Sequence, residues 1–306
     1  MHSRFPFLFV APWLLAFPGC IPSEPPIADL GPRDLATAPV PDLAVAPVVD
    51  LAGPPADMLP NYVAATVHQI DTDPGNGPFG NGKNVSLARV IAVTSVDKYV
   101  NSTNQQCRYQ VWVQDPKCMM APCGMVVKAI GPKAPSPDST GKDCPGARIS
   151  GTVLANIARG DNLAVYGKLI FEVDSSPPMT VVEHQIFADA IMPLANDQSI
   201  TPTVLPDATT YSQFTTHTGA GFDRYEGMYV TLQPDKGLLQ VSTYGKDGFQ
   251  TLPGTVDWGN TFDGDYFPMG AVSFPSVGST YHALSGVVSA RHGGELMPVR
   301  NKDFVP

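Results

Sequence analysis

Alternation of apolar and polar positions begins abruptly near Val63 and recurs in short runs to the end of the chain. A period of two places successive side chains on opposite faces of a strand, so these runs predict β-structure. Residues 85–94 are rich in β-branched side chains and shift their alternation near Arg89, which predicts a strand with a bulge. Residues 108–115 alternate strictly, with Tyr109, Val111 and Val113 on one face and Gln110, Trp112 and Gln114 on the other. Residues 124–130 read as the hairpin partner of that strand, and 162–171 and 180–194 as two more strands. Five strands, with the longest break between the third and fourth, predict a small five-stranded Greek-key barrel.

A second β-rich module opens at Arg224-Tyr225-Glu226-Gly227-Met228-Tyr229-Val230-Thr231-Leu232, read as its first strand. Short strand candidates follow at 238–243, 249–252 and 255–258, each interval punctuated by Gly or Pro. The predicted fold class is therefore all-β: two small Greek-key, OB-fold-like barrels over residues 61–200 and 201–306. Composition agrees, because 32 Pro and 28 Gly in 306 residues point to many turns and argue against an all-α chain. Hydrophobic content of 43% with 15% charged residues allows real cores.

No alternation precedes the first barrel. His2 and Arg4 give a short positive start, residues 5–17 are apolar, and the run is too short to span a bilayer, so 1–19 reads as an export signal. Leu15-Ala16-Phe17-Pro18-Gly19-Cys20 resembles a bacterial lipoprotein lipobox. Gly19 and Cys20 fit it; Phe17 and Pro18 depart from it, and a conventional secretory peptide with a chance cysteine is the competing reading. The resemblance implies lipidation of Cys20 and residence at the cell envelope, in the outer membrane or at the cell surface. Residues 21–60 hold ten prolines and no aromatic residue, with Asp-Leu or Asp-Met units at Asp29, Asp34, Asp42, Asp50 and Asp57. Such a segment cannot bury enough apolar surface to fold, and it reads as a disordered, extended linker spanning on the order of 100 Å.

The succession Val90 to Val93, then Val111-Trp112-Val113-Gln114-Asp115-Pro116, Gly124-Met125-Val126-Val127 and Gly160-Asp161-Asn162-Leu163-Ala164-Val165-Tyr166-Gly167 resembles the OB-fold-like region ahead of the catalytic domain in large secreted bacterial nucleases. Tyr225-Glu226-Gly227-Met228 is similar to their "YEGMLV" segment. Thr280 to Val288 together with Leu296 to Asp303 resembles their closing motif. The resemblance covers roughly residues 63–306 and implies two carrier modules. The nuclease domain that would follow in that family has no counterpart in the sequence, so its catalytic residues have no positions to map onto.

Apart from Cys20, the cysteines are Cys107, Cys118, Cys123 and Cys144, an even number suited to an oxidising compartment. Cys107 and Cys118 flank an extended strand and should lie about 30 Å apart, whereas a disulfide needs Cα atoms within about 7 Å. Cys118 and Cys123 share the turn between two hairpin strands. The expected pairs are Cys118 with Cys123 and Cys107 with Cys144. Zinc is disfavoured, since no CxxC pair exists.

Neither a catalytic constellation nor a cofactor motif emerges. Glu226 has no second acid tied to it by spacing, His184, His217, His282 and His292 are scattered, and Ser285-Gly286 lacks a nucleophile elbow. Asp263-Gly264-Asp265 and residues 71–77 have the look of cation loops, but both read more simply as acidic turns. The net charge of -9 disfavours a general polyanion binder, because neutralising phosphates takes a surplus of Lys and Arg. The first expectation is a non-catalytic, lipid-anchored binding or scaffold module for a protein or glycan, with Trp112 and Tyr109 as candidate ligand-contacting aromatics, Trp112 being equally readable as an aromatic covered by the neighbouring module. The second is a single-stranded nucleic-acid-binding accessory protein, and the third a hydrolase with a dispersed site.

Overall fold

The computed structural model of the chain describes residues 61–73, 77–117, 121–136, 141–146, 148–149, 152–153, 156–173, 181–196, 198–205, 225–234, 237–245, 248–252, 256–257, 275–289 and 295–306. The lipidation candidate Cys20, the linker and Asp263-Gly264-Asp265 lie outside these residues.

Strand β1 (Val63–Ala65) leads into helix α1 (Val67–Asp71). The helix starts at Thr66 because a capping box closes there: the Thr66 hydroxyl accepts from the Gln69 amide, and the Gln69 side chain accepts from the Thr66 amide. Val67 and Ile70 are its buried face. Strands β2 (Asn84–Ala92), β3 (Asp97–Val100), β4 (Gln106–Gln114) and β5 (Gly124–Lys133) follow, then the short hairpin of β6 (Arg148–Ile149) and β7 (Thr152–Val153), then β8 (Asn162–Val173) and β9 (Val181–Ala195).

Five of these strands close on themselves. β2 pairs with β4, β4 with β5, β5 with β9 in parallel, β9 with β8, and β8 back with β2. This ring, with one parallel contact between its third and fifth strands, is a five-stranded Greek-key barrel of the OB type. Closure also removes sheet edges that would otherwise invite pairing with other chains. The bulge expected near Arg89 is present as a register shift between Leu87 and Val90. The barrel is filled by the inward positions the alternation marked, among them Val85, Leu87, Tyr109, Val111, Val113, Met125, Val127, Leu163, Val165 and Ile186. Cys107 and Cys144 are disulfide-bonded with Cα atoms 5.7 Å apart.

The C-terminal part comprises β10 (Thr203–Leu205), β11 (Tyr229–Leu232), β12 (Leu239–Gly245), β13 (Gly248–Leu252), β14 (Val256–Asp257), β15 (Thr280–Tyr281), β16 (Ala283–Ser289), β17 (Glu295–Met297) and β18 (Phe304–Val305). It begins as the first barrel does, with a three-residue strand running parallel to the next: Thr203 lies opposite Val230 as Val63 lies opposite Val85. Its strands form two sheets, β10-β11-β16-β17 with β18 on β16, and β14-β13-β12-β15. Leu205, Met228, Val230, Leu232, Leu239, Val241, Leu284, Val288 and Leu296 fill the space between them.

The opening stretch of this part departs from expectation. The strand starts only at Tyr229, and Tyr225-Glu226-Gly227 form a turn ahead of it. Gly227 adopts φ of +70° there, a conformation that penalises any Cβ. Glu226, read as opening a strand, is buried in that turn.

Candidate binding face

The outer face of the first barrel is built by the alternate residues of β3, β4, β5 and β9 that point away from its core. On β4 these are Arg108, Gln110, Trp112 and Gln114, and on β5 Val126, Lys128 and Ile130 lie opposite Trp112, Gln110 and Arg108. OB-type barrels use this second-and-third-strand face for ligands. Here it is divided in two.

The half around Trp112 is covered by the C-terminal sheets. Trp112 is 2% exposed and packs with Val93 and Val126 against Tyr229, Val287 and Met297. The Gln114 side chain accepts a hydrogen bond from the Tyr229 amide at 3.1 Å. Backbones touch directly at Gly124, where a Cβ would lie 2.2 Å from the Gly227 carbonyl carbon. Cys123, in the turn between β4 and β5, inserts among Leu205 and Met228 of the second core.

Tyr229 is the polar pin of this junction. Its hydroxyl donates to Asp303 at 2.6 Å and receives a bond from Arg300 Nη2 at 2.8 Å, while Arg300 Nε donates to Asp303 at 2.7 Å. From the first barrel, the Arg159 guanidinium lies 4.6 Å from the Tyr229 ring centroid. Burial, reinforced by the Asp303 carboxylate, pushes the Tyr229 phenol up to about 12. Burial likewise pulls Arg159 below its usual range, with the nearby Arg300 charge adding to the effect.

The other half of the face carries different chemistry. Arg108 spreads its guanidinium 6.0 Å from the Phe187 ring centroid, and its buried Nη1 has no hydrogen-bond partner among the described residues. Beside it in register are Tyr99, which is half-buried, and Ile130, which is 52% exposed. Phe187 is flanked in register by Lys128 on β5 and Lys168 on β8. Lys128 is neutralised by Glu183 at 2.6 Å and approached by Glu172 at 3.8 Å. Arg108 and Lys168, by contrast, make no salt bridge among the described residues. A half-buried aromatic ring with two cations that make no salt bridge among the described residues is thus set on a chain whose net charge is -9.

The candidate aromatics of the sequence reading are both removed from solvent. Trp112 sits under the second module and Tyr109 points into the barrel core, where it is fully buried and its hydroxyl donates to the Pro145 carbonyl. Neither is an exposed platform: alternation identifies the face of Trp112 without saying what packs on it, and it puts Tyr109 on the inward face with Val111 and Val113. Phe187 and Arg108 were missed; the available signal was the alternation of 181–195, which places Phe187 on the same outer face. Among the cysteines, Cys107 and Cys144 are joined, Cys123 is also a half-cystine, and its expected partner Cys118 lies outside the described residues.

The titratable clusters elsewhere are structural ties. His184 Nδ1 lies 2.8 Å from Asp71 Oδ1, linking β9 to α1, with Phe171 edge-on to the imidazole at 4.4 Å. Burial pushes the Asp71 carboxyl up against the opposing pull of His184. Asp115 accepts from the Val67 and His68 amides at the start of α1. In the 71–77 loop, Asp73 accepts the Gly77 and Phe79 amides, so its oxygens already serve the turn. Ser285 shares a 2.7 Å hydrogen bond with Thr231 and is buried. Among the described residues no group of three or more His, Cys, Asp or Glu is placed to hold a metal ion.

No family model matches the chain, and no curated protein matches it. Among solved structures it is similar to the SSB domain of a Synechococcus sp. protein, at 14% identity over 36% of this chain and 92% of that one, with a TM-score of 0.23. It is also similar to a small single-stranded DNA-binding protein from Streptomyces coelicolor, at 14% identity over 37% and 95% of the two chains, with a TM-score of 0.23. The aspartyl tRNA synthetase of Entamoeba histolytica matches at 9% identity over 54% of this chain and 28% of that one, with a TM-score of 0.28. At these scores the likenesses carry no argument about ligand.

Proposed function

We propose that this chain is a non-catalytic binding module, exported and lipid-anchored through Cys20, held off the membrane by its proline-rich linker. It takes a protein or glycan on the open half of the first barrel's outer face. The observation that supports this reading is the pairing of Arg108 with Phe187: a cation with no carboxylate partner among the described residues, laid beside a half-buried ring, next to exposed Ile130. Groups of this kind are the ones that gain most from a partner, since a stacked guanidinium still has forked donors to offer.

Purified mature protein is tested against glycan and protein fractions of the envelope, alongside single-stranded oligothymidylate at low salt. Binding to an envelope fraction that is lost in Phe187→Ala is the expected result. Salt-sensitive binding to oligothymidylate alone would replace this reading with the nucleic-acid one. The anchor is tested separately by intact mass: acylated Cys20 in membrane-extracted protein supports it, and a free Cys20 in membrane-released protein rejects it.

A further inference from the structure

The open half of the face also has a definite charge character, and this inference rests on the reading of that face as the ligand site. We propose that its ligand is an acidic glycan, one whose sugar rings carry carboxylates. Phe187 is surrounded in register by Lys128 and Lys168 and overlain by Arg108. Lys128 is satisfied internally by Glu183, with Glu172 at 3.8 Å, and Arg108 and Lys168 on either side of the ring make no salt bridge among the described residues.

Each part of a uronate has a counterpart there. The carboxylate matches the part-exposed guanidinium of Arg108, which makes no salt bridge among the described residues. The C–H face of the sugar matches the half-buried Phe187 ring and the exposed aliphatic surface of Ile130. A second carboxylate along the polymer falls to Lys168 across β9.

Competing occupants fit less well. A stable protein interface buries about 800 Å² on each side around an apolar centre depleted of charge, whereas here the charged Arg108 and Lys168 flank the ring and the Lys128–Glu183 ion pair lies beside it. Single-stranded nucleic acid asks for successive stacking rings along a basic groove. The ring that would continue such a stack, Trp112, lies 2% exposed beneath the second module.

The full mature chain, solubilised in detergent, is titrated with polygalacturonate, with uncharged dextran and with oligothymidylate. Polygalacturonate is expected to bind, weakened by added salt, and dextran is not. Arg108→Gln is expected to weaken that binding about tenfold or more, and Phe187→Ala to a similar extent. Lys168→Gln sits on an exposed position where refolding is not at issue, and is expected to weaken it several-fold less than Arg108→Gln. Absence of polygalacturonate binding at low salt overturns the proposal, as does binding that neither cationic substitution changes. Preference for oligothymidylate over polygalacturonate overturns it in favour of nucleic acid. If dextran or an envelope protein binds instead and Phe187→Ala abolishes it, the acidic class is wrong while the face stands. If nothing that binds responds to Phe187→Ala, both are wrong.

Discussion

Trp112 and Phe187 sit on the same outer face of one barrel, on strands joined through β5, yet they have opposite fates. Trp112 is packed under a second set of sheets, and Phe187 is left beside two cations that form no salt bridge among the described residues. The difference lies in what each neighbourhood offers a second module. Around Trp112 the outward positions are Val93, Val126 and a glycine, which allow Gly227 to approach the backbone of Gly124. Around Phe187 they include Arg108 and Lys168, whose charges a packed interface would have to desolvate, and Lys128, already buried against Glu183. One barrel face thus divides into an internal joint and a part where Arg108, Ile130, Phe187 and Lys168 reach solvent beside the buried Gln110, Lys128 and Gln185.

The largest test of that division is Trp112→Ala. Emptying a fully packed aromatic site costs about 3–5 kcal/mol, and urea denaturation of the variant should show a correspondingly lower midpoint. If Trp112→Ala costs no more than an exposed-site change, the joint is not the stabilising contact described.

The joint is sharpened next at glycine. Gly227 adopts φ of +70° and a Cβ there would lie 2.3 Å from the Met125 amide nitrogen, whereas Gly237 adopts φ of +82° with nothing within 4 Å. Gly237→Ala therefore reports backbone strain alone, about 1 kcal/mol. Gly227→Ala adds the clash between modules and should cost at least about 2 kcal/mol in the same assay. Equal losses at the two positions would mean that the backbones do not bear on each other.

Much of the barrel was legible from alternation, and less of its surroundings. The five strands and the bulge near Arg89 follow from a period of two, a local property. Helix α1 was missed although Thr66-Val67-His68-Gln69 spells a capping box, because five residues are too few for a helical period to register. β10 was missed because three residues carry no alternation. The strand expected over 224–232 was too long, since Gly227 had to turn the chain against Gly124, a contact more than a hundred residues distant in sequence. The site was the least legible part. Trp112 and Tyr109 stood out as residue types, but the cover on Trp112 comes from a neighbouring module's packing, and the significance of Arg108 rests on its having no salt bridge among the described residues.

A third test uses pH on the polar pin. Because the Tyr229 phenol is held at about 12 in the folded protein against an ordinary 10.0, the folded state keeps its proton longer than the unfolded state. The associated stability is fully present below pH 10 and is lost as pH rises towards 12, by an amount on the order of 2 kcal/mol. Tyr229→Phe removes that alkaline slope and also the bonds to Asp303 and Arg300, so it should lower stability at neutral pH by about 1–2 kcal/mol. Tyr62, bonded to Asp189 at an exposed site and also pushed up to about 12, should leave only a weak, salt-screened remnant of the slope. A slope unchanged in Tyr229→Phe would place its origin outside the joint.

The smallest stability effect belongs to Phe187→Ala, and it is the one that makes the comparison decisive. Phe187 is half-buried, belongs to none of the buried core clusters, and has a charged side chain rather than an apolar module beside it. Its removal forfeits partial burial and one cation–π contact, together about 1 kcal/mol or less. An aromatic residue contributing so little to folding, on the same face as one contributing several times more, is free to serve a ligand. Should Phe187→Ala destabilise the protein as much as Trp112→Ala, the ring would be part of the packed structure and the distinction between the two halves would fail. If instead the urea midpoint barely moves while ligand binding is lost, stability and recognition have been separated on a single sheet face.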